Sequence, residues 1–413
     1  MRPSTLPDWL DYIESVHPKQ IELGLQRVGA VAERLGVLAP GGHNIIIAGT
    51  NGKGSTAVFA EALALTQGLT VGTTLSPHVH AFNERVRIGG HALTDETLCE
   101  CFAQVDAARD GLSLTYFEFA ALVALVAFKQ AAVELAILEV GLGGRLDAFN
   151  IVDADIAIIT SIGLDHEDFL GTDIAQIGLE KAGVFRRDQR VILGNVTASV
   201  IARAIELNCT ISRLGEDFSV VESATQWNLT TAADGFNHLP RGVLAPVNCA
   251  LAVLAIEELG PVSREQLLEA LPQASLPGRF EEIVLAGHCY YLDVAHNPAA
   301  ARFVHEQMNV RFPDRKFVAI LAMLGNKDVL GVVRALQDKV TTWLTVDSLG
   351  ARGVSATSLA GRLTGAVDVI VQPSMADALD FARSLTCEDD GILVLGSFSA
   401  VEQARNLMNS GMR

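Results

Sequence analysis

The chain has 413 residues, of which 49% are hydrophobic and 19% charged, with a formal net charge of -17. That length favours two hydrophobic cores over one, and the composition excludes a disordered or fibrous protein. The acidic balance excludes a broad surface for nucleic acid or anionic lipid, which would need clustered Lys and Arg, but leaves room for a local basic pocket.

The segment Met1 to Asp8 lacks the basic-then-apolar pattern of a secretory signal, so a cytoplasmic protein is expected. His43 to Gly49 reads as a buried strand entering a Gly-rich turn, and Ser55 to Thr66 as the helix after it. The most apolar stretch, Phe117 to Phe128 with Glu118 inside it, falls short of the roughly 20 residues of a membrane span. Leu135 to Val140 and Ile156 to Ile162 are two further apolar strands, and Asn248 to Leu259 reads as a helix. Near Leu276-Pro-Gly-Arg279 a fresh set of strands begins: Cys289 to Val294, Phe317 to Met323, Trp343 to Val346 and Gly391 to Gly396. Continuous apolar runs of this kind suit mostly parallel sheets covered on both faces by helices, giving an α/β chain with domains at 1–277 and 278–413. The six cysteines, Cys99, Cys101, Cys209, Cys249, Cys289 and Cys387, form no repeated C-x-x-C pair and are expected to be reduced core thiols.

Gly49-Thr-Asn-Gly-Lys-Gly-Ser-Thr56 has the parts of a phosphate cradle. Glycines let backbone N–H groups approach the oxygens, Lys53 supplies charge, and a helix N-terminus adds its dipole. The strict pattern G-x-x-x-x-G-K-[ST] is not met: Ile47 holds the first glycine's place, Gly54 follows Lys53, and the hydroxyl comes one position later at Ser55. An ordinary Gly-rich turn between strand and helix is the competing reading of the loop alone.

The displaced hydroxyl resembles the loop of the Mur ligase superfamily. Further motifs resemble the bacterial bifunctional dihydrofolate synthase/folylpolyglutamate synthase family. They are Ile21-Glu-Leu-Gly-Leu-Gln-Arg27, Ser76-Pro-His with Glu84-Arg-Val-Arg, Thr115-Tyr-Phe-Glu118 and Glu139-Val-Gly-Leu-Gly-Gly-Arg-Leu-Asp147, then Leu164-Asp-His166, Glu180-Lys-Ala-Gly183, Leu276-Pro-Gly-Arg-Phe280, Asp293-Val-Ala-His-Asn-Pro298 and Gly396-Ser-Phe. They occur in order and span essentially the whole chain. The resemblance implies a P-loop NTPase-like first domain that binds ATP and pterin, and a smaller Rossmann-like glutamate-ligase domain.

The resemblance also implies roles. Thr50, Asn51, Gly52, Lys53, Gly54, Ser55, Asn248, Arg279 and Asp293 would bind ATP, with His296 and Lys327 near the phosphates. Ser76, Glu139 and His166 would hold magnesium, and Lys181, if carbamylated, would reach a second ion; a monovalent cation is a further option. Glu139 also fits on its own terms, because a carboxylate at the end of an apolar strand is costly to bury without a cation. Glu22, Leu23, Gly24, Leu25, Thr115, Tyr116, Phe117, Glu118, Leu146, Asp147 and Ala148 would receive dihydropteroate, with Tyr116 and Phe117 on the flat pterin and Asp147 hydrogen-bonding its edge. Catalysis would rest on Lys53, Lys181, Arg279 and His296, with Arg279 at a hinge that couples domain closure to phosphoryl transfer.

The implied substrates are ATP, L-glutamate, dihydropteroate and reduced folates, and the expected oligomeric state is a monomer. The chain departs from the family's Leu-Asp-Ala-Thr-Asn by placing Phe149 at the threonine position. Residues 193–244 carry no usable motif. A peptidoglycan Mur ligase is disfavoured because 48 residues ahead of Gly49 are too few for a UDP-binding domain. A bare P-loop ATPase or a non-enzymatic nucleotide-binding module would give no task to Asp293-Val-Ala-His-Asn-Pro298, Glu139 or Arg279.

Overall fold

The computed structural model describes residues 3–19, 21–231, 235–350, 353–387 and 389–410, which divide into two compact units, Met1–Ser275 and Leu276–Arg413. The first unit is built on eight strands: β1 (His43–Ala48), β2 (Val71–Thr74), β3 (Val86–Ile88), β4 (His91–Ala92), β5 (Leu135–Glu139), β6 (Ile156–Ser161), β7 (Arg190–Asn195) and β8 (Thr210–Arg213). Their order is β4-β3-β2-β5-β1-β6-β7-β8, parallel except for the antiparallel β2-β3-β4 edge. Every residue of β5 and all of β1 beyond His43 are buried, which is why both strands read as unbroken apolar runs. The stretch Phe117 to Phe128 lies in the helix Tyr116–Gln130, buried from Glu118 to Phe128. Among the described residues no helix is long and apolar enough to cross a membrane.

Two helix boundaries differ from expectation. The helix after the loop starts at Lys53 rather than Ser55, because Gly52, with φ 92°, makes the turn into it. The helix placed at Asn248 to Leu259 runs Pro246–Glu257, since Pro246 is pre-set for the first helical turn. Residues 193–244, without a motif, hold an antiparallel sheet of β9 (Phe218–Glu222), β10 (Gln226–Thr231) and β11 (Gly235–Pro240), anchored by the buried Trp227, Leu229 and Leu239.

The second unit contains β12 (Glu281–Leu285), β13 (His288–Asp293), β14 (Phe317–Leu321), β15 (Val340–Thr345), β16 (Val369–Val371) and β17 (Gly391–Leu395), in the order β12-β13-β17-β14-β15-β16. Only the β12-β13 pair is antiparallel. All six cysteines are free, but only Cys101 and Cys249 are fully buried. Cys387 is exposed beyond the helix Met375–Leu385, so the expectation of core thiols fails there.

Candidate active site

In the first unit the Gly-rich loop leaves the carboxyl end of β1, between β5 and β6, where ligands of parallel sheets sit. Hydroxyls at the end of β6 fix it. Thr160 Oγ1 and Ser161 Oγ donate to the Asn51 carbonyl at 2.7 and 3.0 Å, and the Asn51 N–H donates to Ser161 Oγ at 3.1 Å. The Thr50 N–H donates to the Ser161 carbonyl at 2.7 Å, and the Thr50 hydroxyl exchanges hydrogen bonds with Gly163. Gly49 has φ 151°, and a Cβ there would stand 1.9 Å from Thr160 Oγ1. A Cβ on Gly52 would meet Asn248 Oδ1 at 2.5 Å, so the Asn248 carboxamide lies against the loop.

Two lysines converge on one acceptor. Lys53 Nζ donates to the Gly49 carbonyl at 3.2 Å and to that of Thr50 at 3.4 Å, while Lys181 Nζ donates to the same Gly49 oxygen at 2.8 Å. Lys181 is only 4% exposed. Burial, and then the neighbouring Lys53 charge, lower its pKa to about 7, against the opposing pull of Asp165 and Asp147. Lys53, and Lys181 whenever it is protonated, favour an anion at the loop.

Glu139 ends β5, opposite Ile47 of β1, and is 4% exposed. Its Oε2 accepts the Ser76 N–H at 2.7 Å, so the structure brings these two expected metal ligands together. His166 caps the short helix Glu167–Leu170 with a left-handed backbone, φ 53°, and its N–H donates to Asp165 Oδ1. Among the described residues no group of three or more His, Cys, Asp or Glu side chains forms a metal cage. A buried carboxylate beside a serine fits a hard divalent cation, which prefers oxygen and takes its remaining ligands from water and phosphate.

The residues expected around a pterin form a second cluster. Thr115 and Glu118 make a capping box at the start of Tyr116–Gln130. Arg27 joins this helix to the early segment: its Nη2 lies 3.2 Å from Glu118 Oε1 and its Nη1 2.5 Å from Glu22 Oε1. Leu23 is exposed, Gly24 half-buried, and Leu25 caps the helix Gln26–Leu35. Tyr116 stacks beneath the Arg85 guanidinium, 5.5 Å from its ring centroid, and Arg85 Nε donates to His78 Nδ1 at 2.7 Å. Burial and the Arg85 charge lower His78 to about 4, so its ring is neutral and accepts. Leu146 is half-buried and Ala148 buried beside Asp147. Asp147 also has a local task. Its oxygens accept N–H groups from Gly141, Leu142 and Phe149, all at 3.0 Å, and burial raises it to about 6.

Within the second unit, Asp293 is 6% exposed and accepts the Ala295 and Phe280 N–H groups at 2.7 and 2.8 Å. Burial raises its pKa, and the charges of Arg279 and His296 oppose that rise. The Arg279 guanidinium lies 5.5 Å from the Phe398 ring centroid, and the His296 ring stands 6.5 Å from the same ring. Lys327 is 9% exposed in a loop whose carbonyls at Gly325 and Lys327 accept from Arg362.

Several of these residues carried no expectation: Arg27, Arg85, Thr160, Ser161, Asp165 and Phe398. Four of them stood inside quoted motifs. Thr160 and Ser161 sat at the end of an expected strand, where a hydroxyl has no distinctive spacing.

Comparison with known proteins gives the family. The family model of the Mur ligase middle domain matches residues 47–239, and that of the Mur ligase glutamate ligase domain matches 278–398. A dihydrofolate synthase/folylpolyglutamate synthase of Escherichia coli (strain K12) is 38% identical over 410 residues, covering 98% of this chain and 96% of that protein. The solved structure of E. coli FolC in complex with DHPP and ADP superposes with a TM-score of 0.94 at 38% identity, covering 98% of each chain. A bifunctional folylpolyglutamate synthase/dihydrofolate synthase from Yersinia pestis, complexed with AMPPNP and Mn ion, does so at 0.92 and 40% identity, covering 99% of this chain and all of that one. With both domain models matched along one chain and a relative 38% identical over almost its whole length, the protein belongs to the dihydrofolate synthase/folylpolyglutamate synthase family of Mur ligases.

Proposed function

We propose that the protein is an ATP-dependent carboxylate–amine ligase that adds L-glutamate to 7,8-dihydropteroate and further glutamates to reduced folates. The observation that carries this reading is the convergence of Lys53 and Lys181 on the Gly49 carbonyl, at the end of a strand whose neighbour ends in the buried Glu139. The relatives named above support the substrate class.

A carboxylate is a poor electrophile, so its oxygen first attacks the γ-phosphorus of ATP, giving an acyl phosphate and releasing ADP. The glutamate amine then attacks the acyl carbon, loses a proton and expels inorganic phosphate. Lys53 and the loop N–H groups hold the phosphates in line and offset the charge that spreads over the transferring group. Glu139, Ser76 and His166 would hold magnesium, which neutralises phosphate charge when bound. Lys181, with its pKa lowered to about 7 by burial and the Lys53 charge, has at neutral pH a substantial share of the free amine that addition to carbon dioxide requires; its nitrogen bonds the carbon, a proton is released, and the resulting carbamate would turn a cation into an anion. Asn248 contacts the nucleotide beside Gly52. Glu22 to Leu25, Thr115 to Glu118 and Leu146 to Ala148 receive the pterin.

The test is ligation by purified protein with ATP, magnesium and L-glutamate, offering dihydropteroate and tetrahydrofolate separately and following ADP and product mass. Glutamylated product from both substrates supports the reading. ADP without product from either, unstimulated by these substrates, overturns it in favour of an ATPase.

A further inference from the structure

Phe149 occupies a position the proposed ligation gives no role. It lies in the turn Ala148–Ile151, is 3% exposed, and packs its ring perpendicular to that of Phe117 with centroids 5.8 Å apart. The tip of the Phe117 ring has little freedom as well, because a Cβ on Gly141 would stand 2.5 Å from Phe117 Cζ. The ring of Phe117 is therefore held by the Phe149 ring and by backbone that carries no side chain.

The turn that presents Phe149 is itself fixed. Asp147 Oδ1 accepts the Phe149 N–H, Asn150 Nδ2 donates to the carbonyls of Arg145 and Gly183, and Arg186 Nη1 donates to Asn150 Oδ1. Phe117 is half-buried, so part of the residue remains accessible to a ligand.

We propose that Phe149 is a specificity-determining residue that locks Phe117 as a flat wall and so favours a planar dihydropterin over a puckered tetrahydropterin. This rests on the ligase reading above. A 7,8-dihydropterin keeps its C6 trigonal and its ring nearly flat, whereas a tetrahydropterin has a tetrahedral C6 that tilts the side chain out of the plane. A rigid ring stacks fully on the first and only partly on the second, and a ring free to rotate loses that distinction. An edge-to-face aromatic contact corresponds to an effect of about twofold to tenfold.

The experiment compares the parent protein with Phe149→Leu, which keeps most of the bulk, and with Phe149→Thr. For each, kcat and KM are measured with dihydropteroate and with tetrahydrofolate, alongside KM for ATP and the melting temperature. The expected result is a KM for dihydropteroate raised about twofold to tenfold in both variants, with kcat, KM for ATP and the tetrahydrofolate KM within about twofold of the parent. Equal changes for the two pterins, or no change in either variant, overturn the inference while leaving the ligase reading intact. A parent protein that glutamylates neither pterin overturns the reading beneath it instead.

Discussion

Replacing Gly49 by alanine tests whether the loop's shape, rather than its charge alone, makes the site. At φ 151° the backbone of Gly49 lies where side chains are scarcely tolerated, a strain of about 1–3 kcal/mol. The added Cβ would also lie 1.9 Å from Thr160 Oγ1, so that hydroxyl must leave the Asn51 carbonyl it now holds at 2.7 Å, losing about 1 kcal/mol more. The expected destabilisation is about 2–4 kcal/mol, read as a lower midpoint in urea. If the loop shifts by about 1 Å to escape the clash, the Gly49 carbonyl moves under both lysines, and kcat/KM for ATP falls on the order of 100-fold. A Gly49→Ala protein with the parent's urea midpoint and the parent's kcat/KM would refute the reasoning, since it would mean that neither the strain nor the contact exists.

Other substitutions separate the remaining parts of the site. Glu139→Gln removes the carboxylate beside Ser76; activity should fall at least about 100-fold and lose its response to magnesium titration, while thermal stability holds or rises because a buried charge is gone. Arg27→Met leaves Glu118 buried without its cation, so a loss of about 3 kcal/mol in urea denaturation is expected, with a raised pterin KM and an unchanged KM for ATP. Asp147, lifted from 3.8 to about 6 in the fold, binds its proton more tightly there than in the unfolded chain. Its contribution therefore falls as pH rises from about 4 to about 6, by about 3 kcal/mol, and the stability difference between the parent and Asp147→Asn should change by that amount across the window and be flat above it. A difference that is flat throughout would place the Asp147 proton elsewhere.

The parallel sheets were legible because a strand buried on both faces must be apolar throughout, as Ile45, Ile46 and Ile47 are. The β9-β10-β11 sheet was not, since few of its side chains beyond Trp227, Leu229 and Leu239 are buried and the rest read as loop. At the site, glycines at positive φ left a pattern that any reader of the loop can see, while the groups that hold the loop did not. Thr160 acts on Asn51 across 109 residues, and Arg27 reaches Glu118 across 91, so neither partner lies within the reach of a local motif. Asp147 stood inside a motif that pointed to a ligand contact, and its hold on the backbone N–H groups of Gly141, Leu142 and Phe149 was not legible there.

The lysine amines on the Gly49 oxygen bear on how long the protein survives as well as on what it catalyses. Whenever Lys181 is protonated it faces the Lys53 charge that helps lower its pKa to about 7, and an arriving phosphate offsets that repulsion in the folded chain alone. Any ligand bound only by the native state adds about 2.7 kcal/mol of stability at one hundred times its dissociation constant. The nucleotide is thus also a folding partner, and a cell depleted of it would hold a more protease-sensitive enzyme, tying the amount of ligase to the supply of the energy it spends.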